Sequence, residues 1–118
     1  MRSIGIEHVN LFQHKKALTY FNDSLREYKE IEDNLGILDV ADVLWKFGWK
    51  LDEEAQYTLA IEAYEISLSL YQEMKNSVEE VRVLNLLAWV YLSTGEHQKS
   101  IELNQKALAT GCDSYLIQ

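Results

Sequence analysis

No proline occurs anywhere in the 118 residues, and only five are glycine. Both residues punctuate chains that turn often, so their scarcity excludes a turn-rich β fold and leaves room for long uninterrupted helices. A single cysteine, Cys112, excludes an internal disulfide and agrees with a reducing cytoplasm. Basic charge is short: eleven Lys and Arg stand against nineteen Asp and Glu, a formal charge of −8. Nucleic-acid backbones and anionic membranes both demand clustered cations, so neither is an expected partner. Long apolar runs are missing as well. The most apolar stretch, 81–92, is too short to cross a bilayer and is interrupted by Arg82 and Asn85. The first eight residues lack the apolar core of a secretory signal.

What is present is 47% hydrophobic and 25% charged, one domain's worth of chain with enough apolar matter to bury a core. Its organising feature is an internal repeat. Residues 17–25, 60–68 and 100–108 read ALTYFNDSL, AIEAYEISL and SIELNQKAL, at offsets of 43 and 40. The first match continues, since Leu25, Tyr28 and Glu30 recur as Leu68, Tyr71 and Glu73. Periods of this length signify stacked units, each burying its apolar face against its neighbours.

Within the last unit, Leu84, Leu87, Ala88 and Tyr91 share one face of a helix. Ser77 with Glu80 reads as its capping box and Gly95 as its stop. A second helix is expected from about Glu96 to Ala109, ended by Gly111. The middle unit repeats the plan: Ala41, Leu44, Trp45 and Gly48 align with the four residues above, and a second helix is expected from near Asp52 to about Lys75. Three extra residues between these two helices would account for the difference between the periods. The units are therefore 34–76 and 77–111, preceded by 1–33, in which Met1 falls in the middle of a truncated first helix. That truncation suggests a piece of a longer array.

The run from Leu84 to Gly95, followed by Ser100 and Ala107, resembles a tetratricopeptide repeat. That motif wants a large apolar residue, Leu with a small residue, an aromatic, a turn glycine and two small residues on the next helix. Leu84, Leu87, Ala88, Tyr91, Gly95, Ser100 and Ala107 fill those places. The middle unit departs, with Trp45 at the small site and Gly48 at the aromatic one. The spacing is similar to the family's roughly 40-residue variant. The resemblance implies an all-α fold of antiparallel helix pairs stacked as a right-handed superhelix. It also implies a non-catalytic protein-interaction module in which the first helices line a concave groove for a peptide or helix. Rival readings are a regulatory or sensor segment of a larger signalling protein or ATPase, and a self-assembly element.

Carried over by alignment, the groove comprises Asp39, Asp42, Lys46, Trp49 and Lys50 on one first helix, and Arg82, Asn85, Trp89, Leu92 and Ser93 on the next. Trp49 and Trp89 are binding anchors if they line that groove and space-fillers if they lie in the core; the alignment assigns them to the groove. With Arg2, Lys46, Lys50 and Arg82 against Asp39 and Asp42, the groove is mildly basic in an acidic chain. It suits a partner carrying acidic residues beside an apolar anchor. The family's chaperone-carboxylate sites fall on Arg2, Ile6, Val43, Arg82 and Leu86, of which only the arginines suit, so that activity is not expected. Exposed repeat ends make a homo-oligomer an expectation.

Catalytic and cofactor chemistry is not expected. His8 and His14 are six residues apart, on different helix faces or in different helices, and neither they nor His97 have a partner at metal spacing. Cys112 lacks an activating histidine, no phosphate loop or nucleophile elbow occurs, and adjacent acids such as Glu53-Glu54 and Glu79-Glu80 do not face one another on a helix. Those pairs are read instead as first-turn carboxylates. Tyr20, Tyr28, Tyr64 and Tyr71 are read as inter-helix packing.

Overall fold

The computed structural model describes the backbone of residues 2–117 and the side chains of residues 13–111. Five helices follow one another: α1 (Arg2–Glu30), α2 (Asn34–Glu53), α3 (Tyr57–Glu73), α4 (Ser77–Ser93) and α5 (His97–Ile117). No strand occurs among the described residues. The chain divides into two compact units, residues 1–40 and 41–118.

One device makes all four turns. The first four helices are each followed by a residue with positive φ: Glu32 at 54°, Ala55 at 61°, Lys75 at 56° and Gly95 at 86°. Around each, the same pair of backbone bonds forms. The Asn76 N–H reaches the Tyr71 carbonyl while Lys75 N–H reaches Gln72; Gln56 and Ala55, Asp33 and Glu32, Glu96 and Gly95 repeat the pattern. These bonds satisfy the orphan carbonyls of a helix end and reverse the chain within three residues. The next helix then starts at once. Asn76 caps α4 by accepting from the Glu79 N–H at 3.4 Å, and Asp33 caps α2 by accepting from Gly36 N–H at 3.0 Å. The cap of α4 is thus Asn76 rather than the expected Ser77, which is already the first helical residue.

The first unit contains α1 and the start of α2. The truncated first helix expected within 1–33 would require a turn near Phe12, the counterpart of Gly95; instead α1 runs unbroken for 29 residues. Between Gly5 and Gly36 there is no glycine and no proline, so nothing local stops it. Leu18 and Leu25 are buried on α1, and Ile37 and Val40 on α2. The Tyr28 ring rests on Gly36, where an added Cβ would lie 2.5 Å from ring carbon. Tyr20, expected to pack, is 69% exposed and makes an edge contact with Phe21.

In the second unit two helix pairs, α2/α3 and α4/α5, share a plan, and α4 packs on both α3 and α5. Small residues set the closeness of each pair. Ala60 and Ser67 on α3, and Ser100 and Ala107 on α5, are all buried. In each pair the serine donates its hydroxyl to a carbonyl of the first helix: Ser67 to Ala41 and Ser100 to Ala88, both at 2.8 Å. The family signature is filled as the sequence indicated, with Leu84, Leu87 and Ala88 at 2% exposure or less. The middle pair's departure has a compensating partner. Gly48 stands where α4 has Tyr91, and Tyr64 on α3 stands where α5 has Asn104. The fully buried Tyr64 ring lies on Gly48. The middle pair therefore fills its crossing with an aromatic drawn from the second helix.

Three boundary expectations change. The three additional residues of the middle unit lie inside α2, which has 20 residues against 17 for α4, and both turns have the same length. The second middle helix accordingly starts at Tyr57, not near Asp52. Glu53 ends α2 and Glu54 lies in the turn, so this pair sits at a helix C-terminus, where carboxylates oppose the dipole; only Glu79-Glu80 complement one. Gly111 does not end α5, which continues to Ile117. An interior glycine weakens a helix but does not stop it without left-handed geometry.

Gly48→Ala should destabilise the fold by roughly 1–3 kcal/mol, because a Cβ there would meet Tyr64 Cε1 at 2.8 Å inside a packed crossing. Gly111→Ala meets nothing nearer than Val81 Cγ2 at 3.9 Å and should stabilise by about 0.5–1 kcal/mol. Chemical denaturation of both variants checks the pair.

The turns give a second expectation. Ala55→Gly and Lys75→Gly each relieve a left-handed strain of about 1–2 kcal/mol against a smaller entropic loss, a net gain of roughly 0.5–1 kcal/mol. Gly95→Ala should cost about the same. Thermal midpoints that fall on inserting glycine at 55 and 75 would contradict this turn geometry.

A candidate protein-interaction groove

Residues spaced three or four apart share a helix flank, so α2 presents Lys46, Trp49 and Lys50 together and α4 presents Arg82, Asn85 and Trp89. All six are exposed. Trp49 is 53% and Trp89 62% exposed, so neither fills the core. Apolar neighbours extend the surface: Val43 is 46% and Leu92 44% exposed. Asp39 is exposed and belongs to the first unit.

The two first helices approach each other at Trp45. Its ring carries the Arg82 guanidinium at 5.3 Å and the Lys46 ammonium at 5.8 Å. Arg82 is further fixed by an ion pair with Glu79 at 3.1 Å. Trp45 is thus a platform that holds a cation from the neighbouring helix, a role the sequence reading missed when it treated this residue as an oversized occupant of a small site. The missed signal was size: an indole cannot sit where Ala88 sits in a close crossing, so it must come out towards the next first helix. Glu79 was missed as the partner that fixes Arg82. Lys46 and Lys50 have no ion-pair partner among the described residues, and Lys50 lies in the last turn of α2, where a cation complements the dipole.

Asp42 departs from its assigned place. The Tyr71 hydroxyl donates to Asp42 Oδ1, and Asp42 is half-buried while Tyr71 is fully buried. The carboxylate is consumed in the seam between α2 and α3 and is not free for a ligand. The reason lies in the register: Ser67 and Tyr71, one turn apart on α3, bond to Ala41 and Asp42, adjacent on α2. Removing Asp42 from the ligand-facing set leaves that surface more basic than the sequence suggested. The side chain of Arg2 lies outside the described residues, as do those of Ile6, His8 and Cys112.

Burial is the main cause of the electrostatic shifts. It raises the Tyr71 phenol well above its usual value, with the Asp42 bond and charge adding to the rise. Tyr64 is raised by burial and then by Asp52 and Glu53, and its hydroxyl has no hydrogen-bond partner among the described residues. Asp52 is raised by burial and by Glu53. Tyr91 is raised by burial and by Glu65, to which its hydroxyl donates at 3.5 Å. These groups tie helices together and converge on no reacting centre. His14 is buried, His97 is exposed, and no group of three or more metal-ligating side chains gathers among the described residues. No helix of the described residues is long and apolar enough to cross a membrane.

Residues 51–111 match the tetratricopeptide-repeat family model, more than half of the chain. With its paired helices, buried small-residue seams and glycine turn, the chain belongs to the tetratricopeptide-repeat family. It is also 34% identical over 68 residues to proteins named photosystem I assembly protein Ycf3 from Synechococcus sp. strains CC9311 and CC9605. The match covers 58% of this chain and 38% of each relative, so the chain spans well under half the length of the relatives it matches. No solved structure gives a significant match.

The raised phenols predict an alkaline limit. In the unfolded chain Tyr64 and Tyr71 release protons near pH about 10, whereas in the folded chain they hold them to higher pH. Stability is therefore fully present below pH about 10 and falls as pH rises beyond it. Tyr71→Phe, which cannot ionise, should make that fall shallower. Tyrosinate absorbance followed with helical circular dichroism checks this, because the two buried phenols should ionise together with loss of helix.

Proposed function

We propose that the chain is a non-catalytic protein-interaction module whose α2 and α4 surface takes a peptide or helix with acidic residues beside an apolar anchor. The observation that carries this reading is the pair of exposed tryptophans, Trp49 and Trp89, beside Lys46 and Lys50, which have no ion-pair partner among the described residues, and the fixed Arg82. Large exposed aromatics are the commonest anchors of protein interfaces, and a rigid cation loses little entropy on meeting a carboxylate. The named role of the two relatives, photosystem I assembly, supports a function in which this surface holds a segment of an unassembled partner. A single cysteine and an acidic balance suit an aqueous, reducing compartment such as the cytoplasm.

Anchors should outweigh charges here. Exposed ion pairs contribute roughly 0–1 kcal/mol, a buried aromatic anchor about 2 kcal/mol or more. Trp89→Ala should weaken a partner peptide about tenfold or more while leaving the thermal midpoint within about a degree or two, since the ring is mostly exposed. Lys46→Glu should chiefly slow association and raise its salt sensitivity. Calorimetric titration with acidic, aromatic-containing peptides supplies the test. A partner indifferent to both changes, yet lost on mutating the exposed Glu62 or Glu65 of α3, would place binding on another surface.

A further inference from the structure

Three residues that share one exposed flank of α4 differ in kind: Arg82, Asn85 and Trp89. Arg82 and Trp89 stand almost in line along the helix, about 10 Å apart at a rise of about 1.5 Å per residue. Asn85 lies between them. The cation is directed, since the Trp45 ring lies under it at 5.3 Å and its Nη1 donates to Glu79 Oε2 at 3.1 Å. The Arg82 side chain is nonetheless 48% exposed against 20% for Glu79, so much of its five-donor fork stays open to a ligand. Asn85 bonds to nothing among the described residues, which leaves one acceptor and two donors free midway. An α-helical ligand has paired its backbone groups internally and offers such an amide nothing, whereas an extended one offers both N–H and C=O. Spacing narrows the choice further. Side chains on one face of a β-strand recur at about 7 and 13 Å, on either side of the distance required. In the polyproline II form every third residue returns to the same edge at about 9 Å.

We propose that this flank takes an extended segment in the polyproline II form, with an acidic side chain three residues from an aromatic or large aliphatic one. Arg82 grips the carboxylate, Asn85 the backbone between, and Trp89 the apolar side chain. The inference rests on the peptide-binding role of the α2 and α4 surface and names the class of peptide. Either order of acid and anchor fits, because the Asn85 amide both donates and accepts. Glu79 sets the charge of the acid. Its carboxylate already offsets Arg82, so a monoanion is accommodated where a phosphate dianion is opposed. Lys46 and Lys50 sit on flexible four-carbon stems and add attraction without fixing a position.

Calorimetric titration of the full chain with acetylated, amidated peptides of alanine and proline, each carrying one glutamate and one tryptophan, tests the spacing. A separation of three residues should bind about fivefold tighter than a separation of two. A separation of seven in an all-alanine peptide, the register of a helical ligand, should show no such gain. In Arg82→Gln the advantage of the three-residue separation should vanish while the weaker peptide binds as before; a merely structural role would lower both. Arg82→Lys should lose it too, since an ammonium lacks the fork that meets both carboxylate oxygens. Equal affinity at every separation overturns the proposal. So does a preference for the helical register, for phosphoserine over glutamate, or for a free C-terminal carboxylate. If the peptides then still lose about tenfold with Trp89→Ala, the surface remains a binding site and only the class of ligand is wrong. If none of them binds, both readings fall.

Discussion

Close approach of helices through small side chains is the constraint on which the second unit depends. Ser67 and Ser100 are buried at the crossings, and each hydroxyl bonds to a carbonyl of the facing helix at 2.8 Å. Burying a hydroxyl unpaired costs free energy, and a helix carbonyl already engaged along its axis still offers a second lone pair. The bond therefore holds two helices at a distance that no larger side chain permits. Tyr64 fits only because Gly48 lacks a side chain, and the half-buried Trp45 ring lies under Arg82.

The close seam links packing to recognition. Because the seam admits so little, aromatic bulk on the first helices collects on the flanks away from it, where Trp49 and Trp89 are exposed. Trp45, one turn before Trp49, anchors a cation from the neighbouring helix, so Arg82 is held on two sides, by an indole face and by Glu79. An arginine fixed in this way is a directed group rather than a mobile one. Acidic residues elsewhere have structural work or none: Asp42 serves the α2–α3 seam, Asp33 a helix cap, Glu65 a bond to Tyr91. Acid drawn away from the first-helix flanks leaves them basic in an acidic chain.

Much of the fold was legible because the signals were local. The repeat segments, the absence of proline and the glycine at position 95 each act within a turn or two of chain, and helix geometry converts them directly into helix pairs. Three of the four turns carried no such mark. Glu32, Ala55 and Lys75 adopt left-handed geometry that their side chains do not favour, held there by the bonds around them. Without a glycine to announce them, the end of α2 was placed too early and three residues of helix were read as a linker. Gly111 misled in the other direction, being a glycine in a helix that does not stop.

The sequence by itself determined the class of the fold, its period, the residues of the close seam and the exposed stripe that bears Lys46, Trp49, Arg82, Asn85 and Trp89. All of these follow from spacing along single helices. Only the tertiary structure decided the fate of residues whose partners lie on another helix. Asp42 bonds Tyr71 across 29 positions, Trp45 meets Arg82 across the gap between two first helices, and Gly48 is filled by Tyr64 from α3. Periodicity specifies which way a side chain points from its own axis. The group it meets depends on the distance and register between axes, and those are fixed by the seam and not by the pattern on either helix alone.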